Sequence, residues 1–233
     1  SMLHVQNMVL DNCLSTIKHE TIYYPNKIKQ IIGRLNTQNL PEKDEREAVE
    51  TITELIEYYK GIFTILSSCA ARQLEEVTFR RNTIPVQELF DAAGKYFRKV
   101  TKNRTEKVEL IIEPMDAKVI GDVNQLRFLF ENLIDEALAV REEGVIRLQA
   151  RKDNEYIRFL FTDTRREKSV TELNQLFYPN LARMTSGEKG ELRGTEYLIC
   201  KQIIRDHDEF AGRRGCRINA EPAEGGGFTV YFT

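Results

Sequence analysis

The chain of 233 residues is 41% hydrophobic and 30% charged, a composition that buries a sizeable core and excludes intrinsic disorder. Its 34 Lys and Arg balance 36 Asp and Glu, which argues against nucleic acid as a partner because no basic field is left to grip a phosphate backbone. No apolar run approaches the roughly 20 residues needed to cross a bilayer, and the scattered Cys13, Cys69, Cys200 and Cys216 form no CxxC pair, so reduced cytoplasmic thiols are expected rather than a zinc site or a disulfide scaffold. The leading Ser1-Met2 reads as a cloning remnant.

Between Glu42 and Ile84 there is no proline and a single glycine, Gly61, which predicts helix. Leu10, Leu14, Ile17, Thr21, Tyr24, Ile28, Ile31 and Leu35 recur at spacings of four and three, a heptad seam interrupted by one threonine. Val49, Ile52, Ile56, Tyr59, Phe63, Leu66, Ala70, Gln73 and Val77 answer it, with turn chemistry around Asn39-Leu40-Pro41 between the two. The pattern predicts an antiparallel helical hairpin. Two helices shield each other on one flank only, so two copies are expected to close a four-helix bundle, a homodimer through residues 1–80. A polar hinge at Arg80-Arg81-Asn82-Thr83 precedes Pro85 and divides the chain into 1–82 and 83–233.

Beyond the hinge the pattern is mixed. Val86 to Lys99 has helical periodicity, Val108 to Ile112 reads as a strand, and Val123 to Arg141 is a strongly amphipathic helix. Val145 to Ala150 and Tyr156 to Thr162 form a strand pair across an Asp153-Asn154 turn; a glycine-containing loop from Thr185 to Gly194 leads into a helix from Tyr197 to Asp208. Cys216 to Ala220 and Phe228 to Phe232 close the chain around Gly225-Gly226-Gly227. The fold class expected is α+β, the hairpin followed by an α/β sandwich with helices on one sheet face.

A long helical hairpin carrying His19-Glu20, with Pro25 following, and then an α/β domain resembles the core of sensor histidine kinases. His19 lies two residues beyond seam position Ile17 and is expected to point away from the bundle core. The resemblance implies that His19 is the phosphoacceptor and Glu20 its catalytic neighbour, holding the proton of the other ring nitrogen. Tyr23 stands where the family places Thr or Asn for phosphatase activity. His4 and His207 lack such a setting and read as structural.

The second domain resembles the nucleotide-binding fold shared with gyrase-type and chaperone-type ATPases. The family's Asn-x-x-x-Asn-Ala box falls on Asn132 to Ala137, with Glu136 in place of the second amide and Ala139 in place of a lysine; Asn132 and Glu136 are the implied magnesium ligands. The Asp-x-Gly-x-Gly box keeps Asp163, which in the family accepts a hydrogen bond from the adenine amino group, while Arg165 and Glu167 replace its glycines. Arg165 and Arg166 read as solvated loop residues, the alternative being that one of them replaces the missing lysine charge. The third, phosphate-cradling box retains Gly194 alone, with Glu196 at the following helix start.

The resemblance therefore implies a two-component histidine kinase that binds ATP and Mg2+, phosphorylates His19 and passes the phosphoryl group to a response-regulator receiver aspartate. Its place is cytoplasmic, with any membrane anchor in segments outside this chain. The alternative is a pseudokinase or phosphotransfer scaffold that docks a receiver without binding ATP. The two separate on nucleotide affinity.

Overall fold

The computed structural model describes residues 2–20, 23–37, 39–71, 79–180, 185–186, 192–210 and 215–233, with the backbone alone for 17–20, 23–26, 62–71 and a few others. The chain divides into two compact units. One comprises Ser1–Gln6, Glu75–Tyr178 and Glu196–Thr233; the other comprises Asn7–Leu74 and Pro179–Thr195.

The first unit is built on a five-stranded mixed sheet. Its strands are β2 (Val108–Ile112), β4 (Gly144–Asp153), β5 (Tyr156–Asp163), β9 (Phe228–Phe232) and β8 (Ile218–Pro222), in that spatial order. β2 runs parallel to β4, and every other neighbouring pair is antiparallel. The β4–β5 hairpin turns at Asn154, whose φ of 55° suits an asparagine in the left-handed region. A small ladder of β1 (Asn82–Pro85) with β3 (Lys118–Gly121) stands beside the sheet. Half of the expected polar hinge is therefore strand, because β3 gives its backbone a partner.

Helices α4 (Val86–Thr101), α5 (Val123–Leu138) and α7 (Glu196–Phe210) supply the helical layer, with α5 packed between α4 and α7. Alternation along the strands sends Ile146, Leu148, Phe159, Phe161, Val230 and Phe232 inward, against Phe90, Leu129, Phe130, Leu133 and Ile203. Phe159 and Phe232 stack at 4.9 Å, and Phe90 and Phe130 meet Phe159 edge-on. Asp163 continues this inward row at the end of β5, which is how a carboxylate comes to be buried there. A short capped helix, α6 (Val170–Gln175), completes the unit.

In the second unit α2 (Tyr23–Thr37) packs against α3 (Glu42–Ala71), which also meets the short ladder of β6 (Thr185–Ser186) and β7 (Leu192–Arg193). Glu42, Asp44 and Glu45 in the first turn of α3 suit the positive end of its dipole. The expected first arm is described as α1 (Met2–Glu20) and α2, with Thr21 and Ile22 outside the described residues. The second seam differs from expectation: Leu55 is 4% exposed while seam positions Val49 and Ile56 are 56% and 48% exposed. Within one chain, α3 turns Leu55 inward and leaves part of the heptad stripe bare. No helix among the described residues is long and apolar enough to cross a membrane.

Candidate functional site

Asn132 and Glu136 stand on α5 and Asp163 at the end of β5, all in the first unit. His19 and Glu20 lie at the end of α1, and their side chains fall outside the described residues. Gly194 belongs to the other unit; it is exposed, with a φ of 82° that favours glycine.

The centre of the site is an ion pair. Asp163 and Arg165 have side chains only 1% and 0% exposed. Arg165 Nε donates to Asp163 Oδ1 at 2.9 Å and Nη2 donates to Oδ2 at 3.0 Å, a bidentate fork, and the Arg165 backbone N–H adds a third bond to Oδ1 at 3.0 Å. The rest of the guanidinium is also used: Nη1 donates to Glu142 O at 3.0 Å and Nη2 to Ala137 O. Arg104 donates to the neighbouring carbonyls of Leu138 and Val140 at 2.7 and 2.6 Å, so two arginines cap the C-terminal end of α5. The expectation of a solvated Arg165 is corrected here. Arg165 lies just past the end of β5, where strand alternation no longer fixes a side chain's direction, so the sequence carried no clear signal of its burial.

Backbone approach makes the seat for this pair. Gly227 has a φ of 81°, and a Cβ there would lie 2.0 Å from Asp163 O. Gly144 has a φ of 142°, and a Cβ there would lie 2.7 Å from Arg165 Cγ. Only glycine leaves room at either position.

Around Glu136 the field is acidic. Burial, then the charge of Glu196 at the start of α7, pushes the Glu136 carboxyl above its ordinary range against the pull of Arg166 and Lys168, and the two carboxyls share a hydrogen bond. Asp135 is raised by burial and by Glu196 although Tyr96 donates to it at 2.6 Å, and Glu131 is raised by burial and by Asp135. The buried Tyr197 and Cys200 are pushed up too, burial first, with Glu136 among the further causes for both. Asn132 is buried, and its amide donates to Phe128 O of its own helix at 2.8 Å.

These residues do not fit a magnesium–adenine nucleotide. The carboxylate that would read adenine has both oxygens bonded by the chain itself, and the carboxyls around Glu136 repel a triphosphate. Among the described residues no group of three or more His, Cys, Asp or Glu side chains is arranged to hold a metal ion. The structural reading of His207 holds: its Nδ1 bonds Ile203 O at 2.7 Å and its Nε2 accepts from the Asp122 N–H at 3.1 Å. His4 pairs loosely with Asp206 at 3.9 Å.

Residues 121–233 match the family model of histidine kinase-, DNA gyrase B-, and HSP90-like ATPases, whose members bind ATP, usually with Mg2+. No curated protein matches the chain. Among solved structures, the Acinetobacter baumannii histidine kinase AdeS is 12% identical over 92% of this chain and 95% of its own, with a TM-score of 0.50. Histidine kinase ThkA, solved in complex with response regulator protein TrrA, is 18% identical over 99% of this chain and 63% of its own, at 0.53. Full-length ShkA in complex with AMPPNP is 14% identical over 94% and 44%, at 0.52. At these identities the likeness is one of fold. The stretch from Gly121 to Thr233 thus matches the histidine kinase-, DNA gyrase B- and HSP90-like ATPase model, and the chain shares the fold of solved histidine kinases.

Proposed function

We propose that the chain is the signalling core of a two-component system that works as a phosphotransfer and docking scaffold rather than as an ATP-driven kinase. The observation that carries this reading is the Asp163 carboxylate, bonded on both oxygens by the chain's own Arg165. In this reading residues 1–82 form the dimerisation and phosphoacceptor part and 83–233 the ATPase-like part. Two copies pair through a four-helix bundle, a reading supported by Ile32, Val49 and Ile56, which stand exposed on α2 and α3. His19 exchanges a phosphoryl group with the aspartate of a receiver domain: the P–O bond to the aspartyl carboxylate breaks, a P–N bond to the imidazole forms, and Glu20 holds the proton on the other ring nitrogen. The fold likeness to a kinase solved with its response regulator supports a receiver as the docking partner. The site of action is cytoplasmic, with any membrane anchor in neighbouring segments.

The test compares two phosphoryl donors on wild type and His19→Gln. Acid-labile phosphate is expected on the wild type from a panel of receiver domains preloaded with acetyl phosphate, not from Mg-ATP, and not on His19→Gln. Label from Mg-ATP on His19 returns the chain to the autokinases, and label persisting on the variant removes His19 as acceptor.

A further inference from the structure

We propose that Arg165 is a resident occupant of the adenine subsite, a side chain in the place of a ligand. This deepens the scaffold reading above and rests on it. A mobile surface arginine makes one ion pair and leaves most of its N–H groups to water. Arg165 instead is fully buried, and its guanidinium joins three separate pieces of chain: the end of β5 through Asp163, the last turn of α5 through Ala137 O, and the loop before β4 through Glu142 O. A nucleobase held between a strand-end carboxylate and a helix end ties the same pieces together. The planar fork of N–H donors offers Asp163 the kind of partner that an exocyclic amino group offers.

The seat is shaped for the stem as well as for the head. Gly144 leaves the space that Arg165 Cγ fills, at a backbone angle that side chains rarely adopt, and Gly227 lets the closing hairpin pass against the backbone of Asp163. Asp163 is thus desolvated and saturated by a group that never dissociates. The domain keeps its ligand-tied arrangement without nucleotide, and it exchanges nothing with the cellular pool.

If the guanidinium occupies a base subsite, removing it uncovers one. Arg165→Gly deletes the stem and the fork and leaves the buried carboxylate with only the residue-165 backbone N–H and the looser Arg166 pair at 3.9 Å, so its Tm is expected to fall by about 10 °C. Should that variant fail to fold, Arg165→Gln keeps a neutral donor beside Asp163 and the same measurements apply. The probes are adenosine, whose 6-amino group donates, and inosine, which presents an oxygen at that position. At 5 mM, adenosine is expected to raise the Tm of the variant by several degrees, inosine to leave it unchanged, and neither to move the wild type. Equal stabilisation of wild type and variant overturns the proposal, because the subsite was then never filled. Failure of both variants to respond to adenosine, or equal responses to adenosine and inosine, also overturns it and makes the ion pair purely structural. Neither result bears on phosphoryl exchange at His19, so the two proposals fail separately.

Discussion

At position 136 a single carboxylate reverses the electrostatics of the last turn of α5. The Glu136 carboxyl is raised by burial and by Glu196, so folding favours its protonated form. Below the unfolded value, near 4.3, the group is protonated in both states and costs nothing; as pH rises through the raised folded value, the ionised form destabilises the fold. Glu136→Gln is therefore expected to be more stable than wild type at pH 8, by about 0.5–1 kcal/mol after allowance for solvent screening, and equal to it at pH 4. Urea denaturation at the two pH values reads this directly, and an advantage independent of pH would mean that packing rather than charge is responsible. The identities of these residues were legible in the sequence, but their use was not. Asp163 stood out as the surviving member of its box, whereas Arg165 read as a loop residue because a sequence shows charge without showing desolvation. The Glu136–Glu196 pair spans sixty positions, and only the packing of α7 on α5 brings it together.

The N-terminus of α5 shows how one residue joins several elements. Asp122 Oδ1 accepts from the N–H groups of Asn124 and Gln125 at 3.0 and 3.2 Å, Oδ2 accepts from the Arg80 N–H at 2.8 Å, and the Asp122 N–H donates to His207 of α7. Asp122→Ala removes the cap and orphans a part-buried donor, and is expected to cost about 2–3 kcal/mol; Asp122→Asn, which keeps an acceptor, is expected to cost less than about 1 kcal/mol. Urea midpoints with unchanged m-values check both. His207 must be neutral to accept that bond, and burial lowers its pKa. A depressed histidine contributes stability above its unfolded value of about 6.5 and loses it as pH falls through the folded value. Between pH 6.5 and 5 the wild type is accordingly expected to lose stability relative to His207→Gln, and parallel pH profiles would dismiss the coupling. Elements with strong periodicity were legible in advance: β2 and β9 run over the expected residues, and α5 begins at the expected Val123. The β1–β3 ladder was not, because Asn82 to Pro85 has no pattern of its own and becomes strand only through its pairing with Lys118 to Gly121.

For the whole molecule, the exposed apolar stripe that follows the heptad spacing among the described residues is on α3 of the second unit. Seam positions Val49 and Ile56 lie two turns apart on α3 and are 56% and 48% exposed, while Leu55 alone of that stretch is well buried against the chain itself. A stripe left bare by its own chain is what a second copy covers in a four-helix bundle, and the heptad spacing supplies the register. Val49→Glu/Ile56→Glu places two like charges on that stripe in each copy, four at a two-fold interface. Because both side chains already face solvent, the fold of a single chain is expected to change by no more than about 0.5 kcal/mol per site. The proposed dimer, in contrast, is expected to dissociate at micromolar concentration, seen as a halving of mass by light scattering, with the far-UV circular dichroism unchanged. The wild-type Tm is expected to rise with protein concentration and the variant's to be independent of it, since only an associating chain gains stability by mass action. A variant that remains dimeric would move the interface away from this stripe of α3, and the two copies of His19 with it.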